Sequence, residues 1–278
     1  MERKSGNKIM INGRELRPYI WNLYNGHKTN DIDYYYTRMM ESGLKVEELG
    51  KTDNDLPIFL LQNDHVKGQP NIMIMSGVHG EETAGPWGLL NVMMKLKLMK
   101  IHVNISIIPI MNPYGFSKGI RFNADLKSIN SGYFRTKSGK PELTTEGEIF
   151  NRNFVRFSEL ARNGFLSCHE DVMEKHFFIY EIINGTKPDF YCNEIQLIGI
   201  KYFDKQPDGP TYDGTVKDGV VMNEKDGTID DYLFTIGGIH RAITTETPGT
   251  ADINKRVYVT EQLITKFIEL YNAGRFFI

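Results

Sequence analysis

Two apolar strands separated by one apolar helical stretch constrain this chain more than any other feature. Residues 71–77 (NIMIMSG) form a continuous apolar run of strand length, and residues 103–110 (VNISIIPI) form another. Between them, residues 83 to about 98 read as a helix, with Pro86 tolerable in its first turn. Strand, helix, strand at this spacing is a βαβ unit, which implies parallel pairing and an α/β sheet covered on both faces. A chain of 278 residues buries about three quarters of its unfolded surface when it folds as one unit. No Pro/Ser-rich linker or composition break divides it, so a single domain over residues 1–278 is expected.

The flanking sequence fits that frame. Residues 31–42 read as a short helix, and residues 45–51 and 56–62 as two strands joined through Asp53, Asn54 and Asp55. Residues 112–143 are rich in Gly, Asn, Ser and Lys and read as a long loop, a feature that is usually functional in a compact domain. A helix is expected from Thr144 or Thr145 to about Asn163, opened by a Thr145-x-x-Glu148 capping box, and residues 165–168 resume the sheet. Residues 177–183 and 194–200 suit either strand or helix. The density of Asp, Gly and Pro from 203 to about 235 predicts a loop insertion at one rim of the sheet. The chain closes with a strand at 242–245 and a helix at 253–272, for which Gly274 is the expected stop.

Composition excludes several classes of function. With 40% hydrophobic and 24% charged residues, the chain is neither disordered nor fibrous. Its 33 Lys+Arg against 35 Asp+Glu leave a formal charge of −2 with no long block of either sign, so neither a nucleic-acid partner nor a membrane surface is expected. Cys168 and Cys192 lack metal-binding or redox spacing and read as reduced thiols. The charged start lacks a secretion-signal run, and no apolar run approaches the length of a membrane span. A cytoplasmic location is the expectation.

The sharpest chemical feature is Gly-Val-His-Gly-Glu-Glu at 77–82, where a buried strand gives way to a helix. His79 and Glu82 stand three apart, a spacing at which two side chains can converge on one metal ion. The same string also suits a solvated turn whose acids favour a helix N-terminus. Of the other histidines, His27, His65, His102, His169, His176 and His240, only His169 directly follows an apolar strand-length segment. It is either a third ligand at the sheet's carboxyl edge or a core histidine held by Glu170 or Asp171; those acids could equally orient a ligating ring. Arg121 and Asn123 follow the strand at 103–110, and Glu246 follows the strand at 242–245. Alone, each is a loop charge. Together, four polar segments fall just past the carboxyl ends of strands, where open α/β sheets place their sites.

With these residues in order, the sequence resembles the zinc carboxypeptidase superfamily, including its succinylglutamate desuccinylase/aspartoacylase branch. The matching pieces are His79-Gly80-Glu81-Glu82, Asn112-Pro113-Tyr114-Gly115 leading to Arg121-x-Asn123, His169 in Ser-Cys-His-Glu-Asp, and Thr245-Glu246-Thr247-Pro248, spread over about residues 45–272. The resemblance implies a mixed, mostly parallel eight-stranded sheet with helices on both faces. It implies one zinc per chain held by His79, Glu82 and His169, with family spacing choosing Glu82 over Glu81. Glu246 would be the general base toward the activated water, and Arg121 would stabilise the oxyanion.

One departure bears on substrate. Family carboxypeptidases carry an Asn-Arg pair that grips a terminal carboxylate; here the stretch reads Lys127-Ser128-Ile129-Asn130-Ser131-Gly132, keeping Asn130 without the arginine. Arg135 lies close enough in sequence to substitute, whereas Arg152 reads as a surface charge. Asn123, Asn130 and Arg135 are therefore the substrate-binding candidates, and Tyr202, Tyr212 and Tyr232 all remain open for the family's covering tyrosine. The expected activity is a carboxypeptidase-type hydrolase acting on a peptide or an acylated amino acid. An N-acyl amino acid deacylase is the alternative, followed by a non-catalytic binding protein of the same fold.

Overall fold

The structure is a computed structural model and describes residues 10–11, 14–15, 28–134, 142–211 and 214–273. A short hairpin, β1 (Met10–Ile11) with β2 (Arg14–Glu15), stands apart from one ten-stranded sheet. The sheet's strands are β3 (Lys45–Lys51), β4 (Pro57–Gln62), β5 (Asn71–Ser76), β6 (Asn104–Ile108), β7 (Gly164–Asp171), β8 (Phe178–Ile183), β9 (Gly209–Pro210), β10 (Thr215–Lys217), β11 (Val220–Met222) and β12 (Arg241–Pro248). Their order is β3-β4-β6-β5-β7-β12-β8-β11-β10-β9. The four central strands β6, β5, β7 and β12 run parallel, as the βαβ unit requires. β4 and β8 flank them antiparallel. The mixed α/β class is as expected, with ten strands in place of eight.

Period-two alternation divides the core into two layers. On β5, Ile72 and Ile74 pack on one face and Met73 and Met75 on the other. The first face is covered by α1 (Ile32–Met40), α2 (Ala84–Leu96), α6 (Phe190–Ile200) and α8 (Ile253–Asn272). The second is covered by α4 (Thr145–Arg152), α5 (Phe154–Leu160) and α7 (Ile229–Thr235). α3 (Pro113–Lys118) is a short turn of helix inside the stretch read as loop, capped by the Asn112 side chain accepting from Gly115 N–H.

Two expectations change. The helix read from 145 to 163 is two helices, because Asn153 leaves helical geometry and its side-chain amide donates to the Ile149 carbonyl. The segment read as a rim insertion contributes β9, β10 and β11 to the sheet, followed by α7. Those strands are two or three residues long, too short to show a period. Val216 and Val221 bury against Phe178, with Tyr180 packed alongside, and the Asn223 side chain ties β11 to β8 through Ile183 N–H and the Gly185 carbonyl. Both cysteines are buried free thiols. Among the described residues, no helix is long and apolar enough to cross a membrane. The helix stop expected at Gly274 lies outside the described residues.

One buried carboxyl sets a pH dependence of the fold. Glu181 on β8 is fully buried, with one oxygen accepting from Asp189 N–H and the other without a partner. Burial first, then the nearby Asp189 charge, push its pKa up to about 8. A carboxyl raised in the folded state contributes stability that is present below its unfolded pKa and lost as pH rises through about 8. Glu181→Gln, which keeps an acceptor for Asp189 N–H, should therefore raise the melting temperature more at about pH 9, above the folded-state value, than at about pH 4, below the ordinary carboxyl range. A pH series of thermal melts checks this, and an equal effect at both pH values would refute the assignment.

Candidate active site

The site lies at the carboxyl end of the parallel core, where β5, β6, β7 and β12 release their loops. After β5, Gly77 takes a left-handed φ of 61° and turns the chain into the His79–Glu82 loop. Gly80 sits where no side chain fits: a Cβ there would lie 1.9 Å from the Gly115 carbonyl carbon and 2.2 Å from Phe116 N. The loop thus rests directly on the backbone of α3. The Arg121 carbonyl accepts from Gly80 N–H at 3.4 Å and from Asn112 Nδ2 at 3.1 Å, which ties the loop after β6 to the same corner.

His79, Glu82 and His169 converge. Glu82 Oε1 lies 2.6 Å from His79 Nδ1, and Oε2 lies 2.9 Å from His169 Nδ1. The two rings meet edge to face, and all three residues are buried. Their donor atoms lie within 4.8 Å of one another. Two imidazoles and a carboxylate, buried together with their donor atoms converging, fit a divalent cation.

The electrostatics follow from that packing. Burial alone would raise the Glu82 pKa, but the two imidazoles outweigh it and hold the carboxylate well below its ordinary range. Burial opposes charge on His169; Glu82, with lesser help from Glu246 and Asp230, overcomes it and lifts the ring to about 9. For His79 burial prevails, and the pKa falls.

Glu246 and Arg121 complete the set. Glu246 lies within β12, two residues short of its end, rather than beyond the strand as expected. It pairs in register with His169 on β7, so the two side chains leave the same face of the sheet. Burial drives the Glu246 pKa up, and the Glu82 and Asp171 charges add to it. Arg121 reaches toward Glu82 at 3.5 Å and Glu81 at 3.7 Å, with its side chain 44% exposed. All of these but His169 line a cavity of about 500 Å³ with Asp171, Glu174, Phe178, Tyr180 and Gln206 on its far wall.

The other candidates lie elsewhere. Asn123 is buried, donating to Glu146 and accepting from Asp125 and Lys127 N–H, so its amide organises the loop after Arg121. Asn130 accepts from Ile229 N–H and so holds the start of α7. Neither lines the cavity. Arg135 and Tyr212 lie outside the described residues, while Tyr202 packs against Tyr258 and Tyr232 against Phe154, away from the cavity. The far wall went unread in the sequence, apart from Asp171 in the His169 string. Phe178 and Tyr180 reach the site through the pairing of β8 with β12, which no local pattern encodes.

The chain is similar to known proteins in family and fold. The model of the succinylglutamate desuccinylase/aspartoacylase catalytic domain matches residues 68–164. No curated protein matches the chain. Among solved structures, a candidate metallopeptidase from Shewanella amazonensis is 31% identical with a TM-score of 0.81, over 88% of this chain and 94% of its own. A second, from Shewanella denitrificans, is 31% identical with a TM-score of 0.80, over 88% and 92%. A metallo-carboxypeptidase from Pseudomonas aeruginosa, in complex with (2-guanidinoethylmercapto)succinic acid, shares the fold at 15% identity and a TM-score of 0.63, over 86% and 68%.

The contact at Gly80 can be tested directly. Gly80→Ala should cost about 3 kcal/mol of stability, the upper range for overpacking against backbone that cannot yield. It should also weaken divalent-metal binding, because His79 and Glu82 move with the loop. Chemical denaturation and a zinc titration measure the two effects; wild-type behaviour in both would contradict the packing described.

Proposed function

The chain belongs to the zinc carboxypeptidase superfamily, which includes the succinylglutamate desuccinylase/aspartoacylase branch, and from that membership we propose a zinc-dependent hydrolase of peptide or related amide bonds. The observation that carries the reading is the meeting of His79, Glu82 and His169 with Glu246 and Arg121 at one end of the sheet, around one cavity. A zinc ion held by the two histidines and Glu82 would supply Lewis-acid polarisation of the scissile carbonyl and a more acidic water.

The remaining work falls to the chain's own side chains. Glu246, its basicity raised by burial, takes a proton from the attacking water and delivers it to the departing nitrogen. As the carbonyl oxygen gains negative charge, the Arg121 guanidinium turns from Glu81 and Glu82 to donate to it. Glu82 stays ionised throughout, because both imidazoles favour its charged form. Phe178 and Tyr180 provide an apolar wall for the group beside the scissile bond.

Two substrate readings share this chemistry. The family-model match favours an acylated amino acid. The cavity favours a peptide: among the described residues Arg121 is its one Lys or Arg, while Glu81, Asp171 and Glu174 also line it, a poor setting for an acyl carboxylate. We take the peptide reading.

Glu246→Gln should retain the metal and lose roughly a hundredfold or more in kcat. Removal of the metal by a chelator should abolish hydrolysis, and zinc should restore it. A substrate panel separates the readings: faster turnover of peptides than of N-acyl amino acids is expected, and the reverse order would select the deacylase. Undiminished hydrolysis by Glu246→Gln would overturn the role given to that carboxylate.

A further inference from the structure

A buried ion pair at the edge of the cavity has no part in the chemistry above, yet it joins three segments that carry site residues: the Glu82 loop, β7 and the chain that leaves β12. Glu170 follows His169 on β7 and is 2% exposed. Its Oε1 accepts from Ala84 N–H at 2.7 Å, at the first residue of α2 and two positions beyond Glu82. Thr83, at the cap position, makes no side-chain cap bond, so Glu170 satisfies a helix-end donor from another strand. The Glu170 N–H in turn donates to Glu82 Oε2 at 3.2 Å.

The second Glu170 oxygen is bound by Arg256 Nη1 from α8. Arg256 also donates through Nε to the Ala251 carbonyl at 2.9 Å, in the turn by which the chain leaves β12 after Glu246. Two nitrogens of this guanidinium are thus committed to different segments. A buried ion pair is weak evidence for stability, since an apolar pair of similar volume often serves as well. An apolar pair would not bond Ala84 N–H and the Ala251 carbonyl together.

We propose that Glu170 and Arg256 form a positioning clamp, which fixes the Glu82 loop and the outgoing end of β12 against His169 and thereby sets the spacing of the His79, Glu82 and His169 donors. Both are positioning residues; the Glu170 oxygens are occupied by Ala84 and Arg256. The inference rests on reading those three donors as a metal site. It predicts that the clamp governs metal binding beyond any effect on folding.

The test is a zinc titration of the full chain against a competing chromophoric chelator, with the visible spectrum of the cobalt(II)-substituted protein and a melt of the metal-free form. Arg256→Lys keeps the charge but has one ammonium where two guanidinium arms are used. It should bind zinc roughly ten- to a hundredfold more weakly, the usual effect of losing an outer partner of a metal site. Its cobalt spectrum should change while the metal-free protein stays folded. Arg256→Met should show the larger loss. If either variant does not fold, Glu170→Gln is read in the same assay, with weakened zinc binding again expected. Folded variants with wild-type zinc affinity and an unchanged cobalt spectrum would overturn the clamp. A wild-type chain with no zinc affinity would overturn the metal reading along with it, which distinguishes the two failures.

Discussion

The site depends on one buried carboxylate. Glu82 is placed where desolvation disfavours its charge, and it stays ionised because an imidazole stands against each of its oxygens. Those imidazoles come from different segments, one from the loop after β5 and one from β7. The interaction is therefore tertiary as well as electrostatic: it holds only while the parallel pairing of β5 and β7 keeps the loop and the strand in register. The first strand of the βαβ unit, paired with β7, thus brings a carboxylate and two rings to one point.

Parallel pairing does similar work one strand further on. β7 and β12 are paired from Phe165 with Ala242 to Asp171 with Pro248, and the register sets Glu246 beside His169. A slip of one residue would send Glu246 to the opposite face. The buried apolar residues Ile243 and Leu166, facing one helical layer, resist that slip. Core packing several residues away thus fixes which carboxyl faces the cavity.

Much of this was legible in the sequence, for identifiable reasons. The strands at 71–76 and 104–108 and the helix at 253–272 announce themselves because each is long enough to show a period or a continuous apolar run. His79 and Glu82 were legible because they follow the strand at 71–76 in one short string, and His169 because it directly follows the apolar segment at 165–168. β9 to β11 were not, because two- and three-residue strands take their stability from neighbours such as Phe178. Asn123 and Asn130 look like binding groups in sequence, since a loop asparagine that serves ligand and one that serves backbone are the same letter. The structure shows their hydrogen bonds going to the chain. The cavity's far wall was hidden because it arises from an antiparallel strand pairing between distant segments.

The corner formed by Gly80, Asn112 and Arg121 has one more consequence. The Arg121 backbone carbonyl is held from two sides, while its guanidinium remains 44% exposed. The residue is thus a fixed pivot bearing a half-exposed arm that rests against Glu81 and Glu82. Its reach is set by rotation about side-chain bonds, a motion of picoseconds to nanoseconds, and needs no loop closure. Under the proposed function, substrate carbonyl groups at slightly different depths would be met by the same anchored residue, with the surrounding backbone unmoved.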